Sequence, residues 1–326
     1  MSTPGRVCVI GAQGTLGNIV VQQFASAGWT VYPAGRQADR REGFRQLDLD
    51  RPETFDPALQ DVDLVVSTVS HPRLTAERWI LEHGGLLVNC SHTHARAAAS
   101  IATEARECKG TVLLNAGLVP GVANLAAAEL LERHPQADRL EIAFTVLNAG
   151  TAGRAGGEFA HEGLTSQSHH PVVKLPMTGS FGQLACIEVA GQEDFGFGGV
   201  AGSRQIEVYL GFADRPLSVA LRALNALHLM RLLPRAAFAV KRGAQEEASQ
   251  EPTAVWIGVR LGAERLSASM IECKGDYRTT AASARVFGEK LVIDNRPGCF
   301  NPEDLFSLGD LASPLREMGL RVTRER

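Results

Sequence analysis

Three glycines near the start of the chain, in Gly11-Ala12-Gln13-Gly14-Thr15-Leu16-Gly17, have the spacing to hold a phosphate. They follow an apolar run, Arg6–Ile10, and open a stretch with apolar residues at helical spacing, Leu16–Ala27. In such a strand–turn–helix the first glycine allows the sharp turn, and the second lets the backbone approach a pyrophosphate. The third lets the helix pack tightly on the strand. The helix N-terminus adds N–H groups and a partial positive charge. GxxGxxG is a spacing variant of the dinucleotide fingerprint, and its place in a strand–helix series gives it meaning. Gly11, Gln13, Gly14, Thr15, Leu16 and Gly17 are therefore the expected phosphate-binding residues.

The tip of the second strand chooses between cofactors. An NAD site usually places an Asp or Glu there for the ribose hydroxyls. This chain has Ala34-Gly35-Arg36, with Asp39, Arg40 and Arg41 just beyond. A guanidinium can hold a 2′-phosphate by two parallel charge-assisted bonds, so NADP is expected over NAD. Asp48, at the end of the third strand, could face the adenine edge. Ser67, Thr68 and Val69, ending the fourth, are expected to line the cofactor, as strand ends do in this crevice.

Hydride transfer needs a closely held acceptor carbon and excluded water. A ketone would need a proton donor such as His or Tyr, whereas an imine can arrive already protonated. His92 and His94, just after the fifth strand, are an acid, a substrate contact or exposed loop residues. No third ligand at metal spacing accompanies them. Cys90, at a strand end, is expected to line the cofactor, its thiol either reactive or, as the strand end favours, packed. Asn148, Arg154 and His161 lie in or beside a glycine-rich stretch that could close over a substrate, with Arg154 as a partner for a carboxylate, or be a surface loop. Tyr277 either anchors a helix start or offers its hydroxyl to the site.

These residues need a scaffold. Strands at Arg6–Ile10, Thr30–Ala34, Phe44–Leu47, Leu64–Ser67, Leu86–Asn89 and Val112–Leu114 alternate with helices at Leu16–Ala27, near Pro52, Leu74–His83, Ala95–Cys108 and Val122–Arg133. That alternation predicts βαβ units in a doubly wound parallel sheet of order 3-2-1-4-5-6, a Rossmann domain. After His134-Pro135 the pattern changes. Strands at Leu140–Val146, Val172–Leu175, Leu184–Val189, Gln205–Leu210, Val255–Leu261 and Leu266–Cys273 predict an antiparallel sheet. Asn148–Gly157 reads as irregular. Helices are expected at Pro216–Leu233 and Thr279–Lys290, on one face of that sheet, which makes an α+β domain. The expected division is 1–125, 126–301 and a tail, 302–326, whose last strand, Leu320–Val322, returns to the first domain.

Composition narrows the class. The chain has 326 residues, 44% hydrophobic, with Lys+Arg 33 against Asp+Glu 36 and a net charge of -3. That balance gives no electrostatic case for nucleic acid or an anionic membrane. Glycine is 33 of 326 residues, above the usual ~7%, so many tight turns or close approaches are expected. The six cysteines are scattered with no C-x-x-C pair, as in a reducing compartment. With no secretory leader pattern or apolar span of about 20 residues, a cytoplasmic protein with a small-molecule substrate is expected.

The fingerprint, Gly35-Arg36, the Asp61-Val62-Asp63-Leu64-Val65-Val66 strand, Gly117-Leu118-Val119-Pro120-Gly121 and Asp276-Tyr277-Arg278-Thr279-Thr280-Ala281 together resemble the saccharopine dehydrogenase family, in its NADP-dependent reductase branch. The resemblance implies a Rossmann domain joined to a smaller α+β substrate domain, with hydride transfer in the cleft between them. The family makes or breaks the carbon–nitrogen bond of a secondary amine through an imine. Val88-Asn89-Cys90-Ser91-His92 is similar to the family stretch ending in Ser-Tyr, which implies that Ser91 touches cofactor and substrate; His92 replaces the aromatic. The family's Gly-Leu-Asp-Pro-Gly binds an amino-acid substrate through its aspartate, and Val119 stands there, where no ammonium group can be paired. The expected activity is thus hydride transfer between NADPH and an imine, a secondary amine or another small polarised double bond. Alternatives are a ketone or enoyl reductase, and a nonenzymatic NADP-binding sensor or subunit. Homodimerisation is an expectation from the class alone.

Overall fold

Val7 to Ile10 of β1 (Arg6–Ile10) are all buried, as a central parallel strand between two helical layers must be. The computed structural model describes residues 5–93, 95–105, 108–146, 154–177, 181–189, 195–235 and 252–325. By contacts the chain divides into two units. One is Met1–Leu125, Phe195–Gly199 and Tyr277–Met318; the other is Ala126–Asp194, Val200–Asp276 and Gly319–Arg326.

In the first unit α1 (Thr15–Ser26) leads to β2 (Thr30–Gly35), β3 (Arg45–Gln46), α2 (Phe55–Leu59) and β4 (Leu64–Ser67). Then come α3 (Thr75–His83), β5 (Leu86–Asn89), α4 (Ala95–Glu104), β6 (Thr111–Leu113) and the start of α5 (Val122–Arg133). These six strands form a parallel sheet in the order 3-2-1-4-5-6, the doubly wound plan, so the direction of winding reverses between β1 and β4. A seventh parallel strand, β13 (Gly298–Phe300), extends the β6 edge. On one face Cys8, Ile10, Val65, Leu87 and Val112 pack with Phe55, Ile80 and Ile101. On the other, α9 (Asp276–Ile293) comes so near that a Cβ on Gly288 would lie 2.6 Å from Leu64 Cδ2.

The second unit holds another seven-stranded sheet, built from β7 (Arg139–Val146), β8 (Val172–Met177), β9 (Gly182–Glu188), β10 (Gln205–Phe212), β11 (Pro252–Leu261), β12 (Glu264–Lys274) and β14 (Arg321–Glu325). Its order is β14-β12-β11-β7-β10-β9-β8. The expectation of a wholly antiparallel sheet fails at one ladder: β7 and β10 run parallel. Between them the chain makes α6 (Arg154–Thr165), the β8–β9 hairpin and the short α7 (Gly198–Ala201), and so re-enters beside β7 in the same direction. Ala160 and Leu164 of α6 and Leu221 of α8 (Arg215–Ala226) bury one face with Ile187, Leu210 and Phe212. The tight turn of the β11–β12 hairpin has Gly262 at φ +57, a left-handed conformation that glycine takes at no steric cost.

Other expectations need correction. From Arg154 onward the stretch expected to be irregular is helical, because burial of the Ala160–Leu164 stripe outweighs the poor propensity of its glycines. The helix expected over Pro216–Leu233 ends at Ala226, since His228 takes a left-handed φ of +60 and turns the chain into a short 3-10 segment. The expected boundaries at 301 and 302 also differ from the units. Residues 277–301 belong to the first, where α9 and β13 complete the parallel sheet's layers. Of the tail, α10 (Pro302–Leu305) and α11 (Leu308–Glu317) lie in the first unit. The last strand, β14, instead pairs antiparallel with β12 in the second, where Arg324 also grips both oxygens of Glu129 at 2.7 and 2.9 Å. Among the described residues no helix is long and apolar enough to cross a membrane.

The second sheet contains one fully buried carboxylate. Glu141 of β7 is 0% exposed, and accepts from Arg260 Nη1 at 3.3 Å and from Arg265 Nε and Nη2 at 3.1 and 3.0 Å. Replacing Glu141 by Ala leaves two guanidinium groups without their counter-charge and is expected to cost about 3 kcal/mol. A urea titration checks this as a lower midpoint at unchanged slope.

Candidate functional site

At the C-terminal end of β1 the backbone turns through Gly11, at φ +82. The amides of Gly11 and Ala12 both donate to Ala34 O, at 3.0 and 3.1 Å, and Gly14 N–H donates to Gly11 O at 2.9 Å. A Cβ on Gly11 would meet Val69 Cγ2 at 2.5 Å and Thr68 Oγ1 at 2.6 Å. One on Gly17 would lie 2.1 Å from Gly11 O. At Gly14 the sole neighbour within 4 Å is Gly11 O, at 3.3 Å. Two glycines thus serve packing, and the middle one has that single backbone oxygen beside it and is otherwise open. Gly14 caps α1 without a side-chain hydrogen bond, so the positive end of that helix bears on the same edge.

The neighbouring strand ends are fastened to this turn. Thr68 donates to Ile10 O through both N–H, at 3.1 Å, and Oγ1, at 2.9 Å. Ser67 is buried, and its hydroxyl lies 3.4 Å from Val69 O. Cys90 donates to Ser67 O through its N–H at 3.0 Å and its thiol at 3.2 Å. Burial pushes that thiol's pKa up to about 12, so it is packed and protonated, not a thiolate nucleophile. Ile10, Ser67 and Asn89 pair across the sheet, which aligns Gly11, Thr68, Cys90 and Ser91 along one edge.

At the tip of β2, Arg36 is exposed and makes no ion pair among the described residues. Arg41 donates to Asp39 Oδ2 from Nε at 2.9 Å and Nη2 at 2.7 Å, and to Ala12 O from Nη1 at 3.1 Å. Those bonds hold the Asp39 carboxyl below its usual range. Gln13 Nε2 also reaches Asp39, at 3.3 Å, and Gln37 O at 3.2 Å. Asp48 is engaged locally, its Oδ1 accepting from Asp50 N–H at 3.1 Å.

Beyond β5 the polar groups are linked more densely than the sequence reading anticipated. Glu77 of α3 is buried, and accepts from Asn89 Nδ2 at 2.6 Å. Asn89 Oδ1 accepts from Ser91 N–H at 2.8 Å and Ser91 Oγ at 2.6 Å. His92 follows, its ring centroid 6.2 Å from that of Phe195 and its carbonyl 3.4 Å from Ser70 Oγ. Thr93 N–H donates to Asn115 Oδ1 at 2.9 Å, and Asn115 Nδ2 donates to Asn301 Oδ1 at 2.9 Å. In the Gly117–Gly121 turn the Val119–Pro120 bond is cis, and Leu118 N–H points to Thr280 Oγ1 at 3.3 Å. Val119 and Tyr277, the latter in the first turn of α9, are both half-buried.

Of the remaining expected residues, Asn148 and His94 lie outside the described residues. Arg154 opens α6 in the second unit. In the same unit His161 is tied to Leu233 O through Nε2 at 3.0 Å. Glu77, Asn89, Asn115, Asn124 and Glu303 were not anticipated. Glu77 carried a signal, since it shares helical spacing with Ile80 and Leu81 on the buried face of α3 and so sits where an apolar residue belongs. Glu303 carried none; only the fold brings it to Asn124.

Neither a scan against protein-family models nor a search of curated proteins finds a match. Solved structures do resemble the chain along its length. It has the saccharopine dehydrogenase fold. Saccharopine dehydrogenase (L-Glu forming) from Saccharomyces cerevisiae superposes with a TM-score of 0.62 at 12% identity, over 99% of this chain and 100% of that one. Homospermidine synthase from Legionella pneumophila, solved in complex with NAD, gives 0.69 at 11% identity, over 99% and 91%. The saccharopine dehydrogenase fold is what the sequence resemblance implies.

Glu303 of α10 lies in the first unit. Its Oε1 accepts from Asn124 Nδ2 at 3.3 Å, while Oε2 is buried with no hydrogen-bond partner among the described residues. Burial, above all, raises its pKa from 4.5 to about 7. A carboxyl raised on folding favours the native state most below its unfolded pKa, and that contribution is lost as pH rises through the native one. The protein should therefore lose stability between pH 5 and 8 relative to Glu303→Gln, as read from denaturation midpoints across that range.

Proposed function

We propose that the chain is a nicotinamide-dependent oxidoreductase of the saccharopine dehydrogenase type, using NADP(H) and a small substrate with a carbon–nitrogen or other polarised double bond. The observation that carries this reading is the cradle at Gly14. It is open where a pyrophosphate must approach, and is flanked by two glycines whose missing Cβ atoms are filled by neighbouring atoms. It stands where the winding of a doubly wound sheet reverses, the usual place for a dinucleotide. The likeness to homospermidine synthase, solved with NAD, supports the same cofactor class.

The residues fit the group. Gly11, Gln13, Gly14, Thr15, Leu16 and Gly17 would hold the pyrophosphate by backbone N–H groups and the helix end. Ser67, Thr68, Val69, Cys90 and Ser91 would line the next part of the crevice. When bound, the nicotinamide would supply or accept the hydride. Arg36, exposed at the strand tip, is the residue for a 2′-phosphate, because Arg41 already neutralises Asp39. Asp48, bonded within its own turn, is left to the adenine side. His92, with Ser91 after the end of β5, is assigned to the reacting part of the substrate, and Val119 to an apolar contact with it. The role assigned to Tyr277 is to orient the substrate.

Calorimetry with NADPH and NADH at one ionic strength tests the cofactor. A charge-assisted bidentate contact is worth about 1.5–3 kcal/mol, so Arg36→Ala should weaken NADPH binding roughly 10- to 100-fold and NADH binding much less. Gly14→Val should abolish binding of both while the circular dichroism spectrum is kept. A parent protein that prefers NADH, or a Gly14→Val variant that binds as before, would contradict the assignment. A fall in NADPH absorbance that depends on an added imine separates an enzyme from a binding protein.

A further inference from the structure

Beneath the end of β5 a buried carboxyl fixes the polarity of a hydroxyl on the candidate site's edge. Glu77 is 2% exposed and Asn89 1%, and Asn89 bridges Glu77 to Ser91 through the bonds described above. The amide cannot turn over. The backbone N–H of Ser91 can only donate, so the Asn89 atom facing it is the oxygen, and the NH2 faces Glu77. An amide oxygen can only accept, so the Ser91 hydroxyl proton lies on the 2.6 Å line to Asn89. The lone pairs of Ser91 Oγ are then left, and no donor among the described residues takes them. Burial pushes the Glu77 carboxyl up, but protonated or not it keeps an oxygen that accepts from Asn89. The arrangement therefore does not depend on pH.

We propose that Glu77 and Asn89 are positioning residues that hold Ser91 as a hydrogen-bond acceptor, so that the site takes a partner bearing an N–H. Such a partner is a primary carboxamide or a protonated imine or secondary amine, and not a ketone oxygen. The proposal deepens, and rests on, the dinucleotide reading of the Gly11–Gly17 edge. Ser91 could donate to a developing alkoxide only by withdrawing its proton from Asn89, leaving a buried amide oxygen with one donor fewer. An N–H partner takes the lone pairs already offered. Two sources share this chemistry, the carboxamide of the cofactor and the nitrogen of the substrate.

Calorimetry on the full chain separates them in two arms. The first compares NADPH with its 3-acetylpyridine analogue, in which a methyl group replaces the carboxamide NH2. The second compares piperidine with cyclohexanone on the NADP-loaded protein. In one arm the parent should prefer the N–H partner about tenfold, and the arm that shows it names the source. Ser91→Ala should erase that preference, and Glu77→Leu should weaken it by freeing Asn89. Glu77→Gln should keep it, because the glutamine oxygen still accepts from Asn89. Ser91 is half-buried, so Ser91→Ala decides the matter even if a buried variant fails to fold. No preference in either arm, or a preference that survives Ser91→Ala, overturns the proposal while leaving NADPH binding intact. A parent that does not bind NADPH overturns the dinucleotide reading, and this inference with it.

Discussion

The absence of a side chain at Gly17 sets how near α1 stands to the end of β1. A Cβ there would lie 2.1 Å from Gly11 O and 2.8 Å from Ala12 Cα, so any larger residue must drive helix and turn apart. With that contact made, the positive end of α1 rests on the strand end. The bonds from Gly11 and Ala12 to Ala34 O, and from Thr68 to Ile10 O, then tie β2 and β4 to the same turn. Three strand ends are locked together and one glycine, Gly14, is left looking outward. The candidate site is what that closeness leaves open.

The parallel sheet was legible because its strands are short and apolar and its helices periodic. β1, β4 and β5 fall where the sequence puts them, and so does the order 3-2-1-4-5-6. β13 was missed because three residues, Gly298–Phe300, carry no period and pair with a strand nearly two hundred positions earlier. The parallel β7–β10 ladder was missed for a related reason. Strand direction is set by the length and path of the connection, and alternation of side chains is the same in either sense. Residues 154–165 form a helix through tertiary burial of Ala160 and Leu164, which local glycine content opposes.

Site residues divide the same way. The Gly11–Gly17 turn is contiguous, and the close packing at Gly11 and Gly17 follows from their spacing, so local sequence shows the turn itself. The polar groups beyond β5 come from α3, β5, the ends of β6 and β13, α5 and α10, and no local pattern joins them. Their common property is burial without an apolar reason. Glu77, Asn89, Asn115 and Asn124 are each buried and each hydrogen-bonded to another polar side chain or to backbone. Satisfied networks of this kind hold neighbouring groups in one orientation, because breaking any link strands a buried donor or acceptor. Glu303, with one buried oxygen unpartnered among the described residues, departs from that rule, and burial raises its pKa.

A nicotinamide dinucleotide received at the open face of Gly14 and the first turn of α1 would cover the backbone there. Backbone amide hydrogen exchange with and without NADPH tests it directly. Exchange should slow on adding NADPH at residues 12–17 and 68–70, the turn and the adjoining strand end, with the second sheet's strands unchanged. Binding of NADPH with no protection at residues 12–17, or no binding at all, would contradict it.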